Sequence, residues 1–339
     1  MNICVLGSGA WGTALAMLLV QNGHAVTLYS RRADHSAEMA RTRKNPRLPG
    51  VDLPEALAFG SDLAACLSDC RMAVFAAPSV SIRALAEQAA PLLGDALPVC
   101  AAKGIEYETC LRMSQVIETV TGRACAVLSG PSHAEEVARG CPTGCVAAAR
   151  SRADALAVQE AFLCDSFRVY TSPDVVGVEL GGALKNVIAL CAGISDGLQL
   201  GDNAKALLMT RGLTEIARLG LALGGQRETF AGLTGVGDLS VTCTSMHSRN
   251  RRAGILIGQG RPVQQAMEEV GAVVEGYYAA RSGLILSQRA GVEMPILQEI
   301  YAVLYEGRDP ATVPYHLMHR QSKSEAEDSR WSPPTPEET

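Results

Sequence analysis

A run of residues near the amino terminus constrains this chain more than any other. Asn2-Ile3-Cys4-Val5-Leu6 is short and apolar, and it ends in Gly7-Ser8-Gly9-Ala10-Trp11-Gly12. The Ala/Leu/Met-rich segment 13–21 follows and closes on Asn22-Gly23. A buried strand that turns through glycines into a helix is the context that makes G-x-G-x-x-G specific. Each glycine has its own reason. Gly7 permits the tight turn, Gly9 lets the backbone approach a pyrophosphate, and Gly12 lets helix and strand pack closely. The helix start offers unpaired N–H groups and a positive dipole end to phosphate. The alternative is a glycine-rich turn with no ligand.

The rest of the first half continues the alternation. Segments 25–29, 72–77 (ended by Pro78), 97–102 and 124–129 read as strands, and a glycine and a candidate helix start follow each of the last two. This predicts an α/β chain with a doubly wound parallel sheet and helices on both faces. From 173 to 224 the strand signal fades, and Leu207, Leu208, Ile216, Leu219 and Leu223 recur at helical spacing. Segments 261–271 and 276–288 also read as helices, so an all-α second domain is expected. The boundary is placed near Pro173. Residues 1–173 would bind a dinucleotide, 174–320 would form a helical substrate and catalytic domain, and the Ser/Glu/Pro-rich stretch 321–339 would be a disordered tail.

Composition removes several functions. Thirty basic against thirty-five acidic side chains give a net charge of −5, which leaves no broad basic footprint for nucleic acid. Aromatic residues, at 4%, are too few for a base-stacking platform. The eleven cysteines are odd in number and widely spread, and Cys66/Cys70 and Cys141/Cys145 are C-x-x-x-C rather than C-x-x-C. They read as reduced small hydrophobes, which points to the cytoplasm, and no metal site is expected. Segment 1–20 imitates a signal peptide but lacks a basic start and is broken by glycines. No uninterrupted apolar run reads as a membrane span.

The end of the second strand bears on the cofactor. It reads Tyr29-Ser30-Arg31-Arg32, and the first acid is Asp34. An NAD site usually places a carboxylate on the ribose 2′-hydroxyl at about this distance from the turn. Two guanidiniums suit a 2′-phosphate instead. NADPH is therefore expected over NADH, with NADH still usable. The alternative is that Arg31 and Arg32 begin a solvated basic face with Arg41, Arg43 and Lys44.

The helical half carries polar residues in unusual places. Glu179-Leu180-Gly181-Gly182-Ala183-Leu184-Lys185-Asn186 puts two glycines, a lysine and an asparagine in an apolar helix. Each glycine costs about 1 kcal/mol against alanine, which is tolerable where a backbone or ligand must come close. A buried Lys185 would have a lowered pKa and serve as a general acid/base; an exposed one would simply snorkel. The stretch 232–239 reads as a flexible turn delivering the Asp238 carboxylate. Thr242 to Ser245 and Ser248-Arg249-Asn250-Arg251-Arg252 then crowd hydroxyls, an amide and guanidiniums. They suit a phosphate, or form a polar loop and a basic helix start. After the strand at 124–129, Ser132 is expected to cap a helix with Glu135 in a capping box. His133 reads as structural or rim, and Lys103 places a cation at a strand end.

Taken together these segments resemble the bacterial NAD(P)-dependent glycerol-3-phosphate dehydrogenases. The resemblance runs from Asn2 to about Gly307. It rests on LGSGAWGTALA, AKGIE, SGPSHAEEVARG, GVELGGALKNVIALCAGISDGL, TRGLTEIARLG, GLTGVGDLSVTCTSMHSRNRR, VVEG and GVEMPI. It implies a Rossmann-type domain followed by a helical one, a cytoplasmic location and a homodimer. It implies Lys185 as proton acceptor from glycerol 3-phosphate and donor to dihydroxyacetone phosphate, with Lys103 and Asp238 assisting. Lys103, Gly130, Ser132, Lys185, Asp238, Ser248, Arg249 and Asn250 would contact substrate. Gly7, Gly9, Ala10, Trp11, Gly12, Arg31, Arg32, Lys103, Ala134, Arg249, Val273 and Glu275 would contact cofactor. Three departures stand out: Ala10 where a serine is usual, His133 for phenylalanine, and Met246-His247 for Asn-Leu. A ketopantoate or β-hydroxyacid reductase of the same architecture would lack the Ser248-Arg249-Asn250 cluster.

Overall fold

The computed structural model describes residues 1–322 and 324–325. Its strands are β1 (Asn2–Leu6), β2 (Ala25–Tyr29), β3 (Ala58–Gly60), β4 (Met72–Phe75), β5 (Leu97–Cys100), β6 (Ala126–Ser129), β7 (Thr143–Ala148) and β8 (Phe167–Ser172). They form one eight-stranded sheet in the order β3-β2-β1-β4-β5-β6-β7-β8. The first six follow the doubly wound dinucleotide-binding order. Side chains of β1 alternate between two cores. Ile3 and Val5 pack with the helix Ala10–Gln21 on one face, and Cys4 and Leu6 join Phe75, Ile82 and Val116 on the other. A strand covered on both faces is apolar throughout, which is why β1 reads so plainly in the sequence.

Three strands escape the sequence reading. β3 has only three residues. β8 exposes Arg168 and Tyr170 at alternate positions, as an edge strand covered on one face does. β7 also departs from the expected parallel sheet, because it pairs antiparallel with β6. Only the five-residue helix Ala134–Ala138 links these two strands, rather than the longer crossover helix typical of parallel pairs.

β8 ends at Ser172, and the helix Val175–Gly197 begins almost at once. This central helix is buried nearly all round by the helices Asp202–Ala222, Arg249–Gly258 and Glu275–Ala290. It has the length and hydropathy (1.6) of a membrane span, yet 94% of its most apolar window is covered by the protein itself. Glu179, Lys185 and Asn186 interrupt the apolar run, and the helix is the core of the second domain. Small residues make the packing close. A Cβ on Gly193 would overlap the Arg251 carbonyl, and one on Gly254 the Leu190 carbonyl. Glu179 ties the helix to the sheet domain, accepting from the Ser114 N–H at 2.7 Å and hydroxyl at 2.6 Å and pairing with Arg112.

The segment expected to be a flexible turn is helical. Leu233–Gly237 forms a wide π-type turn that runs directly into the helix Asp238–Thr244. Gly181 makes room for it, since a Cβ there would stand 2.5 Å from the Thr234 carbonyl oxygen. All eleven cysteines are free, nine of them buried. The expected disordered tail lies almost wholly outside the described residues.

Candidate active site

Lys185 lies on the central helix with its side chain 6% exposed, so it does not snorkel. Its amine donates to Asp238 Oδ1 and, at 2.6 Å, to Thr242 Oγ1. Asp238 and Thr242 sit one turn apart on one helix, so a single face presents both acceptors. Among the described residues the third N–H of the Lys185 ammonium has no acceptor. Lys103 approaches the same carboxylate from the end of β5. Its amine donates to Asp238 Oδ2 at 2.8 Å, to the Gly130 carbonyl at 2.6 Å and to Ser132 Oγ at 3.4 Å. An ammonium has three donors, so those of Lys103 are all engaged.

The electrostatics follow from this geometry. Burial pushes the Lys185 pKa down to about 8; the positive Lys103 adds to the fall, and Asp238 opposes it. Burial also pushes the Asp238 carboxyl up, but the charges and hydrogen bonds of the two lysines outweigh it and leave its pKa below the ordinary value. The centre is thus two cations sharing one buried anion. One amine is close enough to neutrality to move a proton at physiological pH.

Gly130 adopts φ +148° after β6, which turns its carbonyl toward Lys103. The capping box expected of Ser132 does not form. Its hydroxyl donates instead to the Gly130 carbonyl at 2.9 Å, and His133 takes the cap position. Ser248 caps the Arg249–Gly258 helix through the Arg251 N–H at 3.2 Å. Asn250 is buried: its amide nitrogen donates to Asn186 Oδ1 and its oxygen accepts from the Gly276 N–H, both at 2.8 Å. This leaves Asn250 one unassigned N–H. Arg249 is exposed, with no ion-pair partner among the described residues. Glu275 reaches across to the sheet domain, accepting from the Ser79 N–H at 3.1 Å and hydroxyl at 2.5 Å. Burial raises the Glu275 pKa against these donors and the Arg249 charge. Val273 lies just ahead of it and is half-buried.

At the glycine turn the residues fit a dinucleotide. A Cβ on Gly12 would overlap the Gly7 carbonyl, whereas one on Gly9 would meet nothing within 4 Å. No side chain caps the helix that begins at Ala10. Its first N–H groups therefore have no side-chain acceptor, as a pyrophosphate site requires. Trp11 is fixed by its indole N–H, which donates to the Ala101 carbonyl at 3.0 Å. Arg31 and Arg32 are exposed beyond β2, and Arg32 approaches Asp34 at 3.7 Å. An ion pair that exposed is weak and leaves the guanidinium available. Ala134 is buried near the β6 end.

Several supporting residues lie outside or apart from the sequence reading. Thr242, read among hydroxyls suited to a phosphate, instead accepts from the Lys185 amine. Asn186 and Ser79 act through partners far along the chain. The same holds at the turn, where Asn45 donates to the Ser8 carbonyl at 3.1 Å and to Thr13 Oγ1 at 2.7 Å, and His35 meets the Ser8 and Ser30 hydroxyls. Local pattern carries no signal for such pairs.

Comparison with known proteins agrees with this architecture. The family models described as NAD-dependent glycerol-3-phosphate dehydrogenase N-terminus and C-terminus match residues 2–155 and 174–315. The glycerol-3-phosphate dehydrogenase [NAD(P)+] of Thermoanaerobacter sp. strain X514 is 50% identical over 326 residues, 96% of this chain and 99% of the relative. That of Moorella thermoacetica is 49% identical over 97% of this chain and 99% of its own. The crystal structure of the Coxiella burnetii glycerol-3-phosphate dehydrogenase aligns with a TM-score of 0.91 at 38% identity, covering 94% of this chain and 99% of that one. A ketopantoate reductase from Ralstonia eutropha shares only the fold, at 16% identity and a TM-score of 0.61. A buried two-lysine centre, an open glycine turn and relatives of this similarity along nearly the whole chain lead to one assignment: the chain belongs to the NAD(P)-dependent glycerol-3-phosphate dehydrogenases.

Proposed function

We propose that this chain interconverts dihydroxyacetone phosphate and sn-glycerol 3-phosphate for glycerophospholipid synthesis. Residues 1–173 would hold the dinucleotide and 174–320 the substrate. The bound dinucleotide supplies or accepts the hydride. The observation that carries the reading is the difference between the two lysines. Lys103 has spent every donor, so it acts as fixed positive potential beside a developing alkoxide. Lys185 is buried, has a depressed pKa and keeps one donor unassigned, so it moves the proton. In the reducing direction its ammonium protonates the carbonyl oxygen; in the oxidising direction its neutral amine takes the hydroxyl proton. Arg249, the free N–H of Asn250 and the helix start capped by Ser248 receive the phosphate. That remote grip positions the reacting carbon.

Two measurements test this reading. NADPH absorbance is expected to fall with dihydroxyacetone phosphate and to stay level with ketopantoate or buffer alone; oxidation of NADPH by ketopantoate in its place refutes it. With the true substrate, kcat/KM for oxidation should rise with pH through about 8, where the neutral Lys185 amine becomes available, and for reduction should fall through the same value.

The finer cofactor preference rests on Arg31 and Arg32. NADPH is expected to have the lower KM. Replacing both arginines by alanine should raise the KM for NADPH by roughly tenfold or more while leaving that for NADH nearly unchanged, as loss of charge-assisted bonds to a 2′-phosphate would. An unchanged KM ratio assigns the pair to the solvated face instead.

A further inference from the structure

Two imidazoles meet beside the lysine centre. His133 precedes the short helix after β6, and His247 lies in the loop before the Arg249–Gly258 helix. Their ring centroids are 5.7 Å apart with planes inclined at 52°. Neither residue has a role in the proton or phosphate chemistry above.

We propose that His133 and His247 form a two-imidazole site for a divalent transition-metal ion such as Zn2+, and that its occupation obstructs the neighbouring lysine centre. The class of ion follows from the donors, because neutral imidazole suits Zn2+, Ni2+ and Cu2+ and not Mg2+ or Ca2+. The spacing also fits. Zn–N bonds of about 2.0–2.1 Å at a tetrahedral angle put two ring centroids about 5 Å apart, so the observed separation closes with a small ring rotation.

Three further features prepare the site. His133 Nε2 lies 3.5 Å from the Val241 carbonyl. An N–H on that nitrogen leaves Nδ1 with a free lone pair, the arrangement that metal-binding histidines use. Burial, helped by the positive Lys185 and Lys103, holds the His133 pKa below its usual value. Finally, the loop that carries His247 is pinned. Arg251 donates to the Thr244 carbonyl at 2.9 Å and to Asp196 at 2.8 Å, and the His247 N–H donates to Ser245 Oγ at 3.1 Å. His247 is exposed and His133 half-buried, so an ion has access from solvent.

Asp238 offsets part of the charge of the two lysines, and at His133 the Glu135 carboxylate acts against their positive field. Among the described residues no cluster of three or more His, Cys, Asp or Glu side chains could hold a metal. The ion is therefore held at two points, with water in its other positions, and exchanges readily.

The obstructing effect rests on the proposed function; the binding does not, and the experiment separates them. Zn2+ is titrated calorimetrically into the substrate-free protein, and in parallel into the NADPH and dihydroxyacetone phosphate assay. The variants are His133→Phe and His247→Leu. Expected is one ion per chain in the parent, with affinity lowered about tenfold or more by either substitution. Turnover should fall over the same Zn2+ range in the parent, recover with EDTA and resist Zn2+ in both variants. Equal Zn2+ affinity in parent and variants overturns the site. Binding lost in the variants with parent turnover untouched by Zn2+ overturns the obstruction. A protein inactive on dihydroxyacetone phosphate refutes the function while calorimetry still decides the site.

Discussion

Lys185→Ala should lower kcat by about 10²–10⁴, the range that a positioned acid/base contributes. The substitution removes the one amine near the Asp238 centre that has both an unassigned donor and a pKa near 8. The loss belongs in kcat rather than in the KM for the dinucleotide, because the glycine turn and the two arginines are built on other elements. Lys185→Arg should not rescue the enzyme. A guanidinium keeps its charge and its proton at any working pH, so it could satisfy Asp238 without moving a proton. Steady-state kinetics in both directions check this, and a Lys185→Ala protein with kcat within a few-fold of the parent ends the assignment.

Asp238→Ala should cost both activity and stability. Asp238 is 1% exposed and is the acceptor shared by the two lysine amines. Removing one partner of a buried ion pair costs about 3–5 kcal/mol, because the remaining charge is left uncompensated. Here two cations lose their counter-charge together. The attraction that holds the Lys185 pKa up disappears, while burial and the Lys103 charge remain to push it lower. Less ammonium is then present at pH 7, so reduction suffers most. Asp238→Asn separates charge from shape. It should keep more of the stability than alanine does, yet move the inflection in the reduction profile below about 8. Thermal unfolding and the pH profile together test the pair. A variant as stable as the parent, with an unmoved inflection, shows that the carboxylate does not balance these amines.

Legibility in the sequence followed burial and local chemistry. β1, β4 and β5 are largely buried and read as apolar runs, β2 and β6 are interrupted only by Thr27 and Ser129, and the glycine turn announces itself because its constraints are steric and local. β8 was hidden because alternate residues such as Arg168 and Tyr170 face outward. The π-type turn before Asp238 was hidden because its glycines signal flexibility, whereas Gly235 is there because a Cβ would overlap the Phe230 carbonyl. Within the site, Lys185 was visible as a lysine out of place in an apolar helix. Its burial was not, since the covering helices lie far along the chain. The bridging role of Asp238 needed Lys103 and Lys185 brought together across separations of 135 and 53 residues. The capping box at Ser132 failed for a similar reason: Gly130 and Lys103 claimed the hydroxyl first.

The most direct test of the proton-carrier assignment is chemical rescue of Lys185→Ala with small primary amines in the dihydroxyacetone phosphate assay. If the side-chain amine carries the proton, ethylamine should restore turnover in a saturable way, the restored rate should depend on the amine's pKa, and the parent should be unaffected. Full turnover by the variant with no amine added would contradict it.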